Sequence, residues 1–286
     1  MRTPVTLHCH TTYDSLDGLI KHEELVQFAK ENGLEHIGIA QHGNFDGWVK
    51  FYKLCKKNNI NPVIGYEAYM STSVGSKDVY HMVIIPRDFP ELCKLFKLHN
   101  EFGIKENFYR KARILLPQLK ELKNSFFLTG CLASILWQKK DKIDLLLPNF
   151  KKGLGDNLYL EIMPNSDPEQ IEYNKLLVEK SAQYNIPLIV TTDSHYSSPE
   201  KAIAQKYMMA AATHTKVYEL QYFSNPDFYL YTGDDIKTRM NYIDEKTLEE
   251  AVENTYRVAS QVKLEIPIKL RLPKFKGEIK FWWEGK

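Results

Sequence analysis

The chain has 286 residues, of which 43% are hydrophobic and 26% charged, with a formal net charge of +2. This composition predicts one large α/β domain with an appendage, and the small net charge excludes a chain-wide basic field, so any polyanion site must be local. The chain contains no apolar run of 18 residues, and its N-terminus reaches a His-rich segment at once. We therefore expect no membrane span and no signal peptide. Four cysteines do not form a secreted disulfide framework, so we expect a cytoplasmic protein with free thiols.

Short apolar segments alternate with amphipathic segments over the first 190 or so residues. The spacing of apolar residues predicts helices over residues 22–32, 45–57 and 171–184. Seven short apolar segments, mostly separated by such helices, predict a parallel sheet with helical crossovers; they are residues 5–10, 37–40, 62–70, 79–85, 125–130, 157–163 and 186–192. Seven such units would close into a distorted, TIM-like (β/α)7 barrel.

The first predicted strand reads Val-Thr-Leu-His8-Cys9-His10. Side chains alternate along a strand, so His8 and His10 should share one face while Cys9 points to the other. Two imidazoles aimed at one point suit a divalent metal. Two histidines in a strand also arise from packing alone, so this pattern needs further donors nearby.

Potential metal ligands follow almost every predicted strand, at the barrel face where active sites gather. They are His8, His10, Asp14, Asp17, His42, Glu67, His81, Cys131, Asp193 and His195. Each has a structural alternative, such as a solvated charge, a hydrogen-bonded core histidine or a small buried thiol. Their coincidence at one rim favours a metal centre, while the role of Glu161 on the sixth predicted strand stays open.

The order and spacing of these motifs resemble the polymerase and histidinol phosphatase (PHP) family. The motifs are His8-Cys-His10, Ser15-Leu-Asp17-Gly18, His42-Gly-Asn, Gly65-Tyr-Glu67-Ala-Tyr, Tyr80-His81, Gly130-Cys131-Leu and Thr192-Asp193-Ser-His195. Later segments resemble those that follow the PHP domain in bacterial replicative DNA polymerase III α subunits: Phe228-Tyr-Leu230, Glu250-Ala251, Asn254-Thr255 and Leu272-Pro-Lys-Phe275. The resemblance covers residues 3–275 or so and implies a seven-stranded βα barrel that holds up to three metals.

The resemblance also implies three groups of ligands. One metal would be held by His8, His10, Glu67 and Asp193, a second by Glu67, His81 and Cys131, and a third by Asp17, His42 and His195, with Asp14 as the rival of Asp17. Of these, the expected catalytic residues are His8, His10, Glu67, Asp193 and His195. Nitrogen, oxygen and sulfur ligands together fit zinc, manganese or iron better than magnesium, and the cysteine favours zinc.

This chain departs from the family at one position. The family usually has an aspartate before the histidine of the second strand, where this chain has Gln41. If that carboxylate orients a ligand, its loss weakens the third metal, because such supporting contacts are typically worth about 10–100-fold in affinity or activity.

Two or three divalent metals point to phosphoester hydrolysis. A metal pair about 3.5–4 Å apart can hold a hydroxide nucleophile and neutralise the attacking and leaving oxygens. The polymerase-branch resemblance implies a proofreading-like 3′–5′ exonuclease on single-stranded DNA, with a replicative polymerase or other replication proteins as partners. The alternatives are a small-molecule phosphomonoesterase or pyrophosphatase, and a non-catalytic metal-stabilised module that docks on a polymerase. The chain has no room for polymerase domains, so we expect no nucleotide addition.

We predict two regions, a barrel over residues 1–215 and a C-terminal extension over residues 216–286. The extension contains an amphipathic helix over residues 245–262 and a basic tail with Trp282-Trp283. Arg110 and Arg113, in a long insertion between the fourth and fifth predicted strands, are candidates for clamping a phosphate of the substrate. The alternative for both is a solvated basic surface.

Overall fold

The computed structural model describes residues 1–14, 17–102, 108, 111–220 and 226–267. Its helices and strands show an α/β fold built on one curled, mixed sheet. In chain order they are α1 His22–Glu31, β1 His36–His42, α2 Trp48–Lys57, β2 Asn61–Ser71, β3 Tyr80–Pro86, α3 Phe89–Phe102, β4 Ile114–Leu115, β5 Ser125–Leu128, α4 Ile135–Gln138, α5 Ile143–Leu154, β6 Leu158–Ile162, α6 Pro168–Tyr184, β7 Leu188–Val190, α7 Ala202–Thr213, α8 Gly233–Arg239 and α9 Glu245–Ser260.

The sheet is mixed, so the prediction of an all-parallel sheet was wrong. Its strand order is β1-β2-β3-β5-β6-β7, and β4 pairs with β2 outside this path. The β2–β3 and β3–β5 pairs are antiparallel, whereas β1–β2, β5–β6 and β6–β7 are parallel. The link between β2 and β3 is residues 72–79, which contain no helix and are too few for a crossover of the dozen or so residues that a parallel pair needs. The strand β3 therefore folds back on β2.

The first predicted strand, residues 5–10, is not a regular strand. Its backbone forms hydrogen bonds on two sides. On one side, the carbonyl of Thr6 accepts from the Gly38 N–H at 2.7 Å, and the carbonyl of Cys9 accepts from the Ala40 N–H at 2.9 Å, both in β1. On the other side, the His10 N–H donates to the carbonyl of Ser194 at 2.8 Å, just beyond β7. This N-terminal segment therefore links the two outer strands of the sheet path.

The helices predicted from apolar spacing are confirmed. Of the four apolar positions that predict α1, Leu25, Val26 and Ala29 are buried and Phe28 is half-buried. The helix α6 begins three residues earlier than predicted, because Asp167 caps it by accepting from the Glu169 N–H at 2.9 Å and Pro168 occupies its first turn. The predicted helix at 245–262 is α9.

The helix α9 packs on the sheet beside the N-terminal segment. Its side chains Val258 and Ala259 belong to the same apolar core as Leu7 and Ile39. The boundary predicted at residue 215 stays a prediction, and the tail with Trp282-Trp283 lies outside the described residues. Within the described ranges, no helix is both long enough and apolar enough to cross a membrane.

Candidate metal centre

Neighbouring strand ends bring the predicted donors together. The register of β1 and β2 places His42 directly opposite Glu67. The side chain of His81 comes from the start of β3, Cys131 follows β5, and Asp193 and His195 follow β7. The N-terminal segment supplies His8 and His10, while Cys9 is buried in the apolar core on its other side, as the predicted alternation requires.

Four side chains converge on one point between the N-terminal segment, β2 and the end of β7. The Nε2 atom of His8 lies 3.3 Å from Oε2 of Glu67 and 3.3 Å from Oδ1 of Asp193. The Nε2 atom of His10 lies 3.3 and 3.1 Å from the same two oxygens. Two atoms that bind one cation at about 2.1 Å each lie about 3.0–3.4 Å apart in tetrahedral or octahedral geometry. The spacing therefore fits one divalent cation.

A second group uses the other oxygen of Glu67. Its Oε1 atom lies 2.7 Å from Nδ1 of His81 and 3.9 Å from Sγ of Cys131, and the last two atoms are 4.0 Å apart. Burial, together with the charge of Glu67, raises the pKa of the Cys131 thiol. A cation at this point would favour the thiolate, which is the form that binds metals. The two oxygens of Glu67 thus face two different groups of donors.

The third predicted group also assembles. The Oδ2 atom of Asp17 lies 2.9 Å from Nδ1 of His42 and 3.5 Å from Nε2 of His195. The rings of His42 and His195 flank the ring of His10, with centroids 4.0 and 4.3 Å from it. The nine predicted donors therefore form one continuous cluster.

Some of the buried donor atoms lack the partners that bound cations would supply. Among the described residues, Nε2 of His8 and Oδ1 of Asp17 are buried without a hydrogen-bond partner. Such atoms are costly in a folded protein, since each loses its bonds to water. Cations held between them would supply the missing interaction, and this combination of imidazole, carboxylate and thiol suits zinc, manganese or iron.

Neighbouring carboxylates raise the pKa of two of the clustered histidines, His195 and His42. Burial alone lowers the pKa of His195, but Asp17 and Asp193 outweigh it and raise that pKa to about 9. The pKa of His42 is also raised, because Glu67 and other acceptors overcome the effect of burial. A protonated histidine cannot bind a metal, so cation uptake at neutral pH must release protons.

Two further carboxylates complete the cluster. Glu161 is fully buried and accepts from Nδ1 of His8 at 2.7 Å and from the Gly130 N–H at 2.7 Å. Asp14 accepts from Nδ1 of His10 at 2.6 Å. Sequence reasoning left Glu161 undecided and weighed Asp14 only as a rival ligand; a lone acid within the apolar run Leu-Tyr-Leu-Glu-Ile was the available signal for Glu161.

Gln41 does not take part in the cluster. Its Oε1 atom accepts from the Thr11 N–H at 3.0 Å, and its amide nitrogen donates to the hydroxyl of the same residue. The amide is buried and ties β1 to the loop after His10.

Of the two arginines proposed as phosphate clamps, only Arg113 lies within the described residues, and it is not among the residues that line the cluster's cavity. Arg110 lies outside the described residues. Arg113 is only 2% exposed and donates to the backbone carbonyls of Ser76 and Asp78, in the link between β2 and β3. In this position Arg113 supports the chain rather than presenting its guanidinium to solvent.

A cavity of about 670 Å³ opens beside the cluster. Its wall includes five carboxylates, contributed by Asp17, Asp167, Glu169, Asp193 and Asp227, as well as the ring of Phe228. Within the described part of the chain, its lining contains no lysine or arginine. Of these carboxylates, Asp227 is paired with Arg239 from outside the lining, so the described wall offers four further carboxylates and, as positive groups, only the histidines and any cations bound there.

The fold and the cluster define an α/β protein with a buried multi-donor centre, and comparison with known proteins identifies the family. The PHP domain family matches residues 6–165. The chain belongs to the PHP family.

Curated relatives place the chain near replicative polymerases. It is 37% identical over 237 residues to the DNA polymerase III subunit alpha of Aquifex aeolicus, a match that covers 76% of this chain and 20% of that protein. The corresponding subunit of Borreliella burgdorferi is 30% identical over 280 residues, 90% of this chain and 23% of that protein. The chain thus spans between a fifth and a quarter of the length of these relatives.

Among solved structures, an amidohydrolase from Chromobacterium violaceum aligns over 67% of this chain and 87% of that chain, with 12% identity and a TM-score of 0.47. That likeness is too remote to bear on function.

Proposed function

We propose that this protein is a metal-dependent phosphoesterase. The observation that carries the proposal is the convergence of His8, His10, Glu67 and Asp193, with donor atoms 3.1–3.3 Å apart and Nε2 of His8 buried without a hydrogen-bond partner. The nine predicted ligands would hold two or three divalent ions, zinc, manganese or iron. In the same proposal, the N-terminal segment closes the sheet into the distorted (β/α)7 barrel.

The chemistry follows from the donors around the cavity. Divalent cations, when bound, would lower the pKa of a water molecule and offset the charge that develops on the phosphoryl oxygens. Glu67 would contribute one carboxylate oxygen to each of two neighbouring sites, since Oε2 faces His8 and Oε1 faces His81. Asp193 has a left-handed backbone, with φ of 45°, which turns its carboxylate toward His8 and His10.

The substrate that the relatives favour is the 3′ end of single-stranded DNA. Relatives named DNA polymerase III subunit alpha match most of this chain, which supports a 3′–5′ exonuclease working with a replicative polymerase or other replication proteins, in the cytoplasm. The predicted barrel at 1–215 and extension at 216–286 belong to this proposal as consecutive parts of the chain that share one apolar core.

The cavity favours a second candidate, a phosphomonoesterase or pyrophosphatase with a small substrate. A DNA strand that crosses a binding groove places several phosphates against it, and such grooves normally carry lysine and arginine. The described lining has neither, but it has five carboxylates. A small substrate with its phosphate at the cations would need no further positive charge.

The test compares two substrate classes on one preparation. Metal-free protein is reloaded with zinc, manganese or iron(II) and incubated with single-stranded oligonucleotides labelled at the 3′ or the 5′ end, and separately with a small phosphomonoester and with pyrophosphate. We expect release of the 3′-terminal nucleotide. Turnover of the small phosphates alone would replace the exonuclease with the second candidate, and retained metal without any turnover would reject catalysis.

Two variants assign the activity to the centre. His10→Ala and Asp193→Asn should abolish hydrolysis while the fold persists, and asparagine tolerates the left-handed backbone at 193. His214→Asn is the matched control, because His214 is exposed at the end of α7, also with positive φ. Activity of the two variants at the wild-type rate would refute the site.

A further inference from the structure

One carboxylate oxygen joins two of the predicted ligands. The Oδ2 atom of Asp14 lies 2.6 Å from Nδ1 of His10 and 2.9 Å from Nδ1 of His42, and it also accepts from the His42 backbone N–H at 2.8 Å. The two rings are stacked, with centroids 4.0 Å apart and an interplanar angle of 19°. Asp14 itself is 4% exposed, so water does not compete strongly for this oxygen.

The opposite edges of the same two rings face Glu67. Nε2 of His10 lies 3.3 Å from Oε2 of Glu67, and Nε2 of His42 lies 2.8 Å from it. A neutral imidazole has one N–H and one lone pair, and the hydrogen bond made by one nitrogen decides which nitrogen can bind a metal. Nδ1 of His42 also lies 2.9 Å from Oδ2 of Asp17. If Asp14 holds the Nδ1 proton of His10, and Asp14 together with Asp17 holds that of His42, both Nε2 atoms are left as ligands on the Glu67 side.

We propose that Asp14 is a positioning residue: by holding Nδ1 of His10 and of His42, it leaves Nε2 of both rings free to bind a cation. This inference rests on the metal centre of the proposed function. It also accounts for the departure at position 41, because Gln41 is engaged with Thr11 and contributes no carboxylate to either ring. In this chain, a carboxylate from the loop after His10 supports the histidine that ends β1.

The test measures cation binding and ring tautomers rather than hydrolysis. Wild-type protein, Asp14→Asn and Asp14→Ala are compared by zinc titration against a chelator of known affinity. Loss of the carboxylate should weaken zinc binding about 10–100-fold, the usual effect of removing a group that orients a metal-binding histidine. Long-range proton–nitrogen NMR of the zinc-loaded wild type should show protonated Nδ1 and metal-bound Nε2 for His10 and His42. That pattern should be lost in Asp14→Ala.

Asp88→Asn is the matched control. Asp88 accepts from the Glu91 N–H at 2.8 Å and from Nδ2 of Asn124 at 2.6 Å, and it touches none of the clustered histidines. It should keep wild-type zinc affinity and histidine signals. Wild-type affinity in both Asp14 variants, an equal loss in Asp88→Asn, or unchanged tautomers in Asp14→Ala would each overturn the inference. Should Asp14→Ala not fold, Asp14→Asn, which keeps the shape, carries the test. None of these measurements requires turnover. The role of Asp14 is therefore tested separately from the proposed hydrolysis, even if the protein is inactive.

Discussion

In two of the clustered histidines, His8 and His195, a hydrogen bond at Nδ1 fixes the orientation of the ring. Nδ1 of His8 pairs with Glu161 at 2.7 Å, and Nδ1 of His195 with the backbone carbonyl of Asp193 at 2.8 Å. These bonds turn Nε2 of both rings toward the carboxylates of the centre. Before any cation binds, those carboxylates stabilise the protonated histidines instead.

This arrangement predicts that the metal-free protein loses stability as pH rises. The pKa of His195 is about 9 in the folded protein, against about 6.5 in an unfolded chain. Its ion pair therefore stabilises the fold fully below pH 6.5 or so and is lost as pH rises toward 9. We expect the Tm of chelator-treated protein to fall over this window, as followed by circular dichroism.

In the presence of zinc, the Tm should instead rise with pH, because fewer protons compete with the cation for the histidines at higher pH. Asp17→Asn should flatten the fall in Tm of the metal-free protein, since Asp17 is the leading carboxylate that raises the pKa of His195. A metal-free Tm that stays level or rises between pH 6.5 and 9 would contradict the assignment.

At the scale of elements, α9 positions the N-terminal segment, which carries His8 and His10. The Val5 N–H donates to Oγ1 of Thr255 at 3.0 Å, and Nδ2 of Asn254 donates to the carbonyl of Leu188 at 2.8 Å. One helix therefore fixes both the N-terminal segment and β7, the two elements between which His8, His10 and Asp193 meet.

Thr255→Val should loosen that segment. The substitution keeps the shape of the side chain but leaves the buried Val5 N–H without an acceptor, which costs about 1–3 kcal/mol. Urea unfolding of the metal-free protein should show this loss of free energy, and zinc affinity should fall as well. Ser260→Ala, at the exposed end of the same helix, should change the unfolding free energy by less than about 0.5 kcal/mol. Equal effects of the two substitutions would argue against a role of α9 at the centre.

At the scale of the molecule, the later part of the chain shares the apolar core of the sheet. Ile236, Met240, Leu248 and Val252 pack in the cluster that contains Leu188 and other sheet residues. Without them, β7 would lose the helix that packs against it.

We therefore expect a chain that ends at residue 215 not to fold cooperatively. The loss of these four buried side chains, at about 2–5 kcal/mol each, is comparable to the 5–15 kcal/mol or so that stabilises a typical domain. Thermal unfolding followed by near-ultraviolet circular dichroism would show no sharp transition. A chain that ends at residue 267 is the control and should unfold cooperatively. A stable, zinc-binding chain of residues 1–215 would instead establish that segment as an independent domain.

Local patterns in the sequence predicted much of the fold. The apolar spacing of α1, α2, α6 and α9 is a property of a few turns, because burial of one helical face requires it wherever the helix packs. The same holds for the alternation that sets His8 and His10 on one side of Cys9. The donor types at successive strand ends likewise pointed to one cluster before any distance was known.

Only the tertiary structure decided the direction of β3, the irregular pairing of residues 5–10 and the bonds that Asp14 and Glu161 make to the ring nitrogens. Each depends on groups far apart in the chain or on the path of a loop, and a local pattern contains no information on either. The sequence by itself determined which chemical groups are present and which face they occupy. Packing determined which nitrogen of each histidine is available and which carboxylate supports it, because hydrogen bonds form only between atoms that the whole fold brings within about 3 Å of each other.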